Sequence, residues 1–305
     1  MDAVSWTIGD LLKTTTKYLK EKRIESPRLT AEVLLAHGLG MDRVSLYLQF
    51  EKPLTKNELS GYRDLVRRRV RGEPLQYITG VQEFWSLAFE VGPGVLIPRP
   101  ETELLVEQAV ARAEKAKAGQ GLRLRLLDLG TGSGIIAVSL AKELPEWEVW
   151  ATDISAEALH WAQVNAEKHG VHDRIRFRQG DLFDSIREKE AVFDIIVSNP
   201  PYVGEEEYGA LPPEVRDHEP RTALAGGPGG MAYVERILRE APDFLNHGGW
   251  LLVEMAPGQT ERAMKIAEET RCYGGAGRIR DYSGRHRVVC ARSLFSDSLL
   301  GDRES

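Results

Sequence analysis

From residue 122 onward, stretches that favour strands alternate with stretches that favour helices, and this alternation restricts the fold more than any other feature. The strand-forming runs are "LRLLDL" (124–129), "EVWATD" (148–153), "IRFRQG" (175–180), "FDIIVSN" (193–199) and "GGWLLVE" (248–254). Helices are predicted between most of them, as over 155–169, where Ser155 is the expected N-cap. Alternating β and α units specify an α/β fold with a doubly wound, mostly parallel sheet. Two later runs, "GRIRDY" and "RHRVVCARS", are expected to form a terminal antiparallel pair.

The first 74 residues predict a small bundle of helices. Apolar residues recur at helical spacing over 7–22, and "TKNE" (55–58) has the spacing of a capping box. Ser26 is expected to cap a second helix, with Pro27 at its first position. Since no strand interrupts these helices and no catalytic cluster lies among them, we interpret 1–74 as a substrate-recognition domain.

The pattern changes at residue 75. Period-two alternation and a Gly-Pro-Gly reversal over 75–98 predict a β-hairpin that links two domains. The catalytic domain is then expected over 99–292, followed by a polar, flexible tail over 293–305.

Composition favours a globular protein of the reducing cytoplasm. Of the 305 residues 42% are hydrophobic, and no run approaches the roughly 18 apolar residues of a membrane span. The beginning, "MDAVSWTIGD", lacks the basic and apolar segments of a secretory signal. The two cysteines form no CxxC motif and the seven histidines do not cluster, so we expect neither disulfides nor a bound metal. We also expect a monomer, because no interface signal stands out.

Charge is divided unevenly along the chain. Residues 1–80 carry 14 Lys and Arg against 10 Asp and Glu, whereas the remainder carries 26 against 36. Nucleic acids are bound mainly through cationic contacts to phosphates, so the anionic larger part argues against direct nucleic-acid binding. The basic run "RRRVRG" (67–72) is the exception, and such a run is usually a solvated helix face.

Ligands of doubly wound sheets bind at the carboxyl ends of the strands, so the residues that end each strand are candidates. The first strand leads into "DLGTGSG", where Gly130, Gly132 and Gly134 permit a tight turn and close approach to a ligand. Isoleucine after Gly134 breaks the dinucleotide spacing G-x-G-x-x-G/A. The second strand ends at Asp153, whose carboxylate can accept hydrogen bonds from a ribose diol, and Asp181 after the third could meet an adenine edge. These ends predict a nucleoside-containing cofactor.

The fourth strand ends in "SNPPY" (198–202), which suggests a reaction type. The nitrogen of a planar amide or aminopurine is a weak nucleophile, because its lone pair is delocalised. Two acceptors, the Asn199 side-chain oxygen and the Pro200 carbonyl, can hold its N–H bonds beside a methyl donor, and proline adds no competing N–H. Tyr202 can pack against the planar group. The tetrapeptide leaves adenine N6, guanine N2 and the glutamine side-chain amide open as targets.

These strand ends look like those of a class I S-adenosylmethionine-dependent methyltransferase, and wider stretches resemble one family. The stretches are "PLQYITG" (74–80), "FWSLAFEVGPGVLIPRPETE" (84–103), "DLGTGSG", "NPPY" and "HEPRTALAGGPGG" (218–230). From 74 to about 290 the chain resembles the release-factor glutamine methyltransferases (HemK/PrmC). The resemblance implies methylation, by S-adenosylmethionine, of N5 of the glutamine in the Gly-Gly-Gln motif of peptide chain release factors, with S-adenosylhomocysteine as product. It also implies a role in translation termination.

The resemblance assigns the site residue by residue. The cofactor would be contacted by Gly130, Thr131, Gly132, Ser133, Gly134, Asp153, Asp181, Leu182 and Asn199. The substrate amide would be held by Asn199, Pro200, Pro201 and Tyr202, of which the first two would be the catalytic groups. Family members often have an aromatic residue where Leu182 stands, and an aliphatic side chain can still cover adenine. Arg99 of "IPRPETE" could equally pair with a carboxylate or meet the substrate, and Glu101 receives no role.

Two other functional classes remain open. An aminopurine methyltransferase would act on nucleic acid held by "RRRVRG", and a cofactor-binding protein on the same scaffold would lack catalysis. The anionic catalytic region favours a protein substrate over nucleic acid. The intact glycine loop, Asp153 and "NPPY" argue against a protein that has lost its activity.

Overall fold

The computed structural model describes residues 6–115, 124–186 and 191–294, which fall into two compact units. One unit comprises the residues up to 81 together with 212–218, and the other comprises 82–211 and the residues from 219 onward. Of the tail predicted over 293–305, the part from 295 lies outside the described residues. The predicted boundaries at 74 and 98 stay predictions.

The first unit is helical. Its helices are α1 (Ile8–Glu21), α2 (Pro27–Leu39), α3 (Arg43–Leu48), α4 (Lys56–Val70), α5 (Leu75–Thr79) and, from the later segment, α10 (Pro213–His218). Thr55 and Glu58 form the predicted capping box of α4. Ser26 and Pro27 occupy the predicted N-cap and first helical positions of α2, but the Ser26 side chain makes no capping bond and its φ is +45°. A capping side chain needs an extended backbone at its own residue to reach the free N–H groups, and Ser26 does not have one.

A hairpin occupies part of the segment 75–98. Strands β1 (Val81–Phe84) and β2 (Leu87–Glu90) form a two-stranded sheet. Trp85 and Ser86 between them both have positive φ, as a type I′ turn requires. The hairpin therefore starts later than residue 75, because α5 continues to Thr79 and ends at Gly80 in the left-handed conformation.

The second unit contains the predicted sheet. Its strands are β3 (Arg125–Leu129), β4 (Glu148–Asp153), β5 (Ile175–Gln179), β6 (Phe193–Ser198), β7 (Leu245–Glu254), β8 (Tyr273–Arg280) and β9 (His286–Ser293). The order is β5-β4-β3-β6-β7-β9-β8. The first five strands are parallel, and β9 runs antiparallel to β7 and β8. The doubly wound, mostly parallel sheet and its terminal antiparallel pair are confirmed.

Helices complete this unit: α6 (Glu103–Ala113), α7 (Ile135–Glu143), α8 (Ala156–Lys168), α9 (Glu205–Tyr208), α11 (Arg221–Leu224), α12 (Ala232–Glu240) and α13 (Thr260–Thr270). Short 3₁₀ helices span Pro100–Thr102, His172–Arg174, Pro228–Gly230, Ala241–Phe244 and Pro257–Gln259. Ser155 caps α8 as predicted, by accepting the N–H of Ala158. None of the helices in the described ranges combines the length and apolarity needed to cross a membrane.

Both faces are buried at the centre of the sheet, which explains why β3, β4 and β6 are largely apolar without alternation, whereas the edge strands β5 and β8 are partly exposed. Successive side chains of a strand point to opposite faces, and Leu126 and Leu127 accordingly belong to two separate apolar clusters. In register, Leu129 of β3 lies beside Thr152 of β4 and Ser198 of β6. The strand order reverses at β3, so the carboxyl ends of β4, β3 and β6 meet at a switch point where such sheets bind ligands.

Candidate active site

One cavity lies at this switch point. Its lining comes from the segments that follow β3, β4, β5 and β6, together with the segments 94–102 and 220–223 and Tyr233 of α12. Of the predicted site residues it includes Gly130, Thr131, Gly132, Ser133, Asp153, Asp181, Leu182, Asn199, Pro200 and Pro201. The other two predicted residues, Gly134 and Tyr202, are not among the described residues that line the cavity. The structure thus brings ten of the twelve predicted residues to one cavity.

The glycine loop leaves an open wall. Gly130 and Gly132 have φ of +71° and +56°, and a Cβ atom built on either would meet no atom of the described residues within 4 Å. Gly134, with φ of +82°, instead packs against α8, where an added Cβ would lie 3.0 Å from Ala162. The first two glycines therefore suit close approach of a ligand, whereas Gly134 suits helix packing.

Two carboxylates order this loop, and the first of them is fully buried. Asp128 accepts the Thr131 hydroxyl at 2.7 Å and the N–H of Ala137 at 3.1 Å, which ties the loop to the first turn of α7. Burial raises the pKa of Asp128 to about 7, against the effect of these hydrogen bonds. Asp153 accepts the N–H groups of Gly132 and Ser155, each at 2.9 Å, and burial raises its pKa too. Asp153 thus holds the loop while it lines the cavity.

The turn after β5 contributes Asp181 and Leu182. Asp181 is paired with Arg236 of α12, with 2.8 Å between Oδ2 and Nη1. Leu182 is buried and has φ of +49°, a conformation that a non-glycine residue rarely adopts. Arg236 constrains the position of the carboxylate, and Leu182 supplies an apolar patch of the cavity wall.

The "NPPY" segment is anchored at three points. Ser198 donates to the carbonyl of Leu129 at 2.8 Å, so β6 ends against β3. Asn199 donates from Nδ2 to the Thr102 hydroxyl at 3.0 Å, and within the described residues its Oδ1 accepts no hydrogen bond. The carbonyl of Tyr202 accepts Nε2 of Gln259 at 2.8 Å. The side-chain oxygen of Asn199 remains available beside the cavity.

The hydroxyl of Tyr202 points to a buried carboxyl group. It donates to Oε1 of Glu254 at 3.4 Å, where β7 ends. Glu254 is 1% exposed, and burial raises its pKa to about 7, although a hydrogen bond with Thr102 and the charge of Arg287 oppose this rise. Packing of the Tyr202 ring against a substrate stays a prediction.

Arg99 forms an ion pair inside the protein. Its Nη2 pairs with Oε1 of Glu219, whose other oxygen accepts the N–H of Ile97 at 3.1 Å. Glu219 is buried. The pair joins two motifs, "LIPRPETE" and "HEPRT", and so gives Arg99 the first of its two expected roles: it orders the loop at the cavity, which it also lines.

Several residues of the site have no counterpart in the sequence predictions: Thr102, Glu219, Arg236, Glu254 and Gln259. Thr102 and Glu219 lie inside motifs that were recognised as a whole. Arg236, Glu254 and Gln259 carry no spacing or neighbouring motif that signals a role. Among the described residues, His, Cys, Asp and Glu form no group of three or more that could hold a metal ion.

The sheet order and the cavity define a protein of the class I methyltransferase fold. The hMettl16 catalytic domain in complex with MAT2A 3'UTR hairpin 6 matches with a TM-score of 0.54 over 77% of this chain and 83% of that one, at 19% identity. A human methyltransferase 10 domain containing protein matches with a TM-score of 0.51 over 77% and 98%, also at 19% identity. At such identity the likeness concerns the fold alone.

Sequence comparisons define the family. The PrmC N-terminal domain matches residues 10–80, and the methyltransferase small domain matches 102–211. Release factor glutamine methyltransferases from Geobacter sulfurreducens and Rhodopirellula baltica are 46% and 42% identical, over 94% and 93% of this chain and 97% and 95% of their own. That of Salmonella typhimurium is 41% identical over 88% of this chain and 93% of its own. The chain belongs to the release factor glutamine methyltransferase family, which confirms the predicted family and enzyme class.

Proposed function

We propose that this protein methylates the side-chain amide nitrogen (N5) of the glutamine in the Gly-Gly-Gln motif of a peptide chain release factor, in the cytoplasm, with S-adenosylmethionine as methyl donor. One observation carries the proposal: Asn199 keeps its side-chain oxygen free beside a cavity that Pro200 also lines. These two residues can supply the two acceptors that a primary amide needs.

The residues at the strand ends fit the cofactor. Gly130 and Gly132 would leave room for the amino-acid part of the cofactor, because they carry no Cβ atom and the space that a Cβ atom would occupy is open. Asp153 would accept from the ribose hydroxyls, because a carboxylate can accept about four hydrogen bonds and the N–H groups of Gly132 and Ser155 take one on each oxygen. Leu182 would cover one face of adenine. When bound, S-adenosylmethionine supplies an electrophilic methyl group on a sulfonium that leaves as a neutral thioether.

The protein's part in the reaction is positioning. The glutamine N–H groups would donate to Asn199 Oδ1 and to the Pro200 carbonyl, which would hold the nitrogen towards the methyl group. Bonding both N–H groups to acceptors raises electron density on the nitrogen. The nitrogen would form the new C–N bond as the bond between the methyl carbon and sulfur breaks, and it would then lose one of its two protons to water. A near-attack geometry of this kind can provide much of a rate enhancement.

Nucleic acid is the weaker alternative. Three arginines of the basic run 67–72 pair with carboxylates of the same unit: Arg67 with Asp64, Arg68 with Glu73 and Arg69 with Glu214. Paired guanidinium groups have less charge to offer to phosphates. A protein substrate therefore fits the first unit better than a duplex or a structured RNA does.

Incubation with methyl-labelled S-adenosylmethionine and a purified release factor tests the proposal. We expect one label per factor, on the glutamine of the Gly-Gly-Gln motif. A factor with alanine in place of that glutamine serves as control, and RNA and DNA are offered in parallel. Label that persists on the control factor, or that appears only on nucleic acid, would overturn the proposal.

A further inference from the structure

Thr102 holds an unusual position for its residue type. It is fully buried, and its backbone is already helical, because it ends the 3₁₀ helix Pro100–Thr102 that continues into α6. Its side chain makes no capping bond to α6. The hydroxyl is instead used over a long distance in sequence: it accepts Nδ2 of Asn199, 97 residues away, at 3.0 Å.

This contact decides which end of the Asn199 amide faces the cavity. The nitrogen and oxygen of an amide are separate substituents of the same planar carbon and point in different directions, so a nitrogen held by Thr102 turns Oδ1 away from Thr102. An amide flipped by 180° would present its NH₂ group to the substrate. A donor there could not hold the N–H of a glutamine amide.

The Glu254 carboxyl favours one direction of the hydrogen bonds. The Thr102 hydroxyl has one proton, and it interacts with the buried Glu254 carboxyl. When Glu254 is ionised, as at pH 8, its carboxylate only accepts, so the proton of Thr102 points to Glu254 and the hydroxyl oxygen remains an acceptor for Asn199. In a flipped Asn199, the side-chain oxygen would need the same proton as its hydrogen-bond donor. The buried carboxylate would then lose that hydrogen bond, which costs free energy. Tyr202 donates to the same carboxylate from the other side.

We propose that Thr102 is a positioning residue that selects the amide orientation of Asn199, with Glu254 as the acceptor that makes this orientation the favoured one. The role of the orientation in catalysis rests on the proposed function; the orientation itself does not. Thr102 acts through Asn199 and forms no bond to the reacting atoms. The threonine of the "PETE" segment thereby has a function that depends on Asn199, which follows β6.

Two variants separate the hydroxyl from the shape of the side chain. Thr102→Val keeps the volume and removes the hydroxyl, whereas Thr102→Ser keeps the hydroxyl. At pH 8, we expect Thr102→Val to lower kcat for release-factor methylation roughly 10- to 100-fold, as misplaced catalytic groups do. KM for the factor and the calorimetric Kd for S-adenosylmethionine should change little, whereas the melting temperature should fall in Thr102→Val and recover in Thr102→Ser, because Asn199 and the buried Glu254 lose a partner only in the former. Thr102→Ser should restore kcat to within about three-fold of the wild type.

The double variant distinguishes positioning from general damage. If Thr102 acts through Asn199, Thr102→Val combined with Asn199→Ala should be no slower than Asn199→Ala alone. Multiplying effects, normal turnover of Thr102→Val, or failure of Thr102→Ser to restore kcat would each overturn the proposal.

A spectroscopic measurement makes the result independent of the substrate. In ¹⁵N-resolved NMR spectra, one of the two side-chain amide protons of Asn199 should exchange slowly with water in the wild type and in Thr102→Ser. In Thr102→Val that protection should be lost. Absence of protection in the wild type refutes the inference, whereas protection in a wild type that does not methylate release factors refutes the proposed function alone.

Discussion

Replacing Asp153 with asparagine removes one acceptor at the centre of the cavity and leaves the shape of the side chain almost unchanged. In the wild type the two carboxylate oxygens accept the N–H groups of Gly132 and Ser155, each at 2.9 Å. Asparagine has a single acceptor oxygen. Its NH₂ group must therefore face one of these two N–H donors or turn towards the ribose, where it donates instead of accepting.

The size of the effect follows from these bonds. Hydrogen bonds to a charged group contribute about 1.5–3 kcal/mol each. If the ribose retains one acceptor and loses the other, cofactor binding weakens by about 1.5–3 kcal/mol. We therefore expect the Kd for S-adenosylmethionine to rise roughly 10- to 150-fold, since each 1.4 kcal/mol is tenfold. Burial raises the pKa of Asp153, which means that its charged form is disfavoured in the folded protein. Replacing it with a neutral side chain should therefore have little effect on folding stability.

Isothermal titration calorimetry with S-adenosylmethionine measures this change, and thermal unfolding reports stability in parallel. Asp173→Asn is a matched control, because it is the same substitution at an aspartate that is fully exposed and does not line the cavity. A Kd for Asp153→Asn within about three-fold of the wild type, in a protein that unfolds normally, would refute the assignment of the ribose to Asp153.

Three further changes test other parts of the site. Asn199→Ala should lower the turnover of release-factor methylation roughly 10²- to 10³-fold, as the loss of one positioned transition-state hydrogen bond does. Steady-state kinetics measure this change, and near-normal turnover would mean that another group holds the amide. Gly134→Ala should cost about 1–3 kcal/mol of unfolding free energy in urea titrations, because its φ is +82° and its Cβ would lie 3.0 Å from α8, whereas Gly209→Ala, with open space around it, should cost less than about 1 kcal/mol. Glu254 has a pKa of about 7 when folded and an ordinary one when unfolded, so its ionisation destabilises the fold progressively as the pH rises from about 4.5 to 7. The unfolding free energy of Glu254→Gln relative to the wild type should therefore increase by roughly 2 kcal/mol between pH 5 and pH 8, and a constant difference would contradict the raised pKa.

Most of the fold could be predicted because its signals are local. Strand and helix periodicities are properties of neighbouring residues, and parallel pairing follows from their alternation. Errors occur where local signals compete. Ser26 before Pro27 has the composition of an N-cap, yet its backbone adopts a left-handed conformation that the composition does not reveal. The pattern over 75–98 predicts a hairpin, and a short helix occupies its first five residues, Leu75–Thr79.

For the same reason the sequence alone located the cavity. Each strand of a parallel sheet ends at the same edge, so Gly130, Asp153, Asp181 and Asn199 had to come together once the strands were recognised. Gly134 shows the limit of that reasoning: it belongs to the loop motif, but its φ and its contact with α8 give it a packing role that only the three-dimensional arrangement reveals.

The orientation and support of these groups depend on the tertiary structure. Thr102 accepts a hydrogen bond from Asn199, which is 97 residues away, and Arg236 of α12 forms an ion pair with Asp181. Glu254 interacts with both Thr102 and Tyr202. No spacing in the chain encodes such meetings, because each depends on how separate elements pack and on which buried groups then need partners. The motif "NPPY" therefore indicates that a planar NH₂ group is bound, and the folded protein determines which atom of Asn199 binds it.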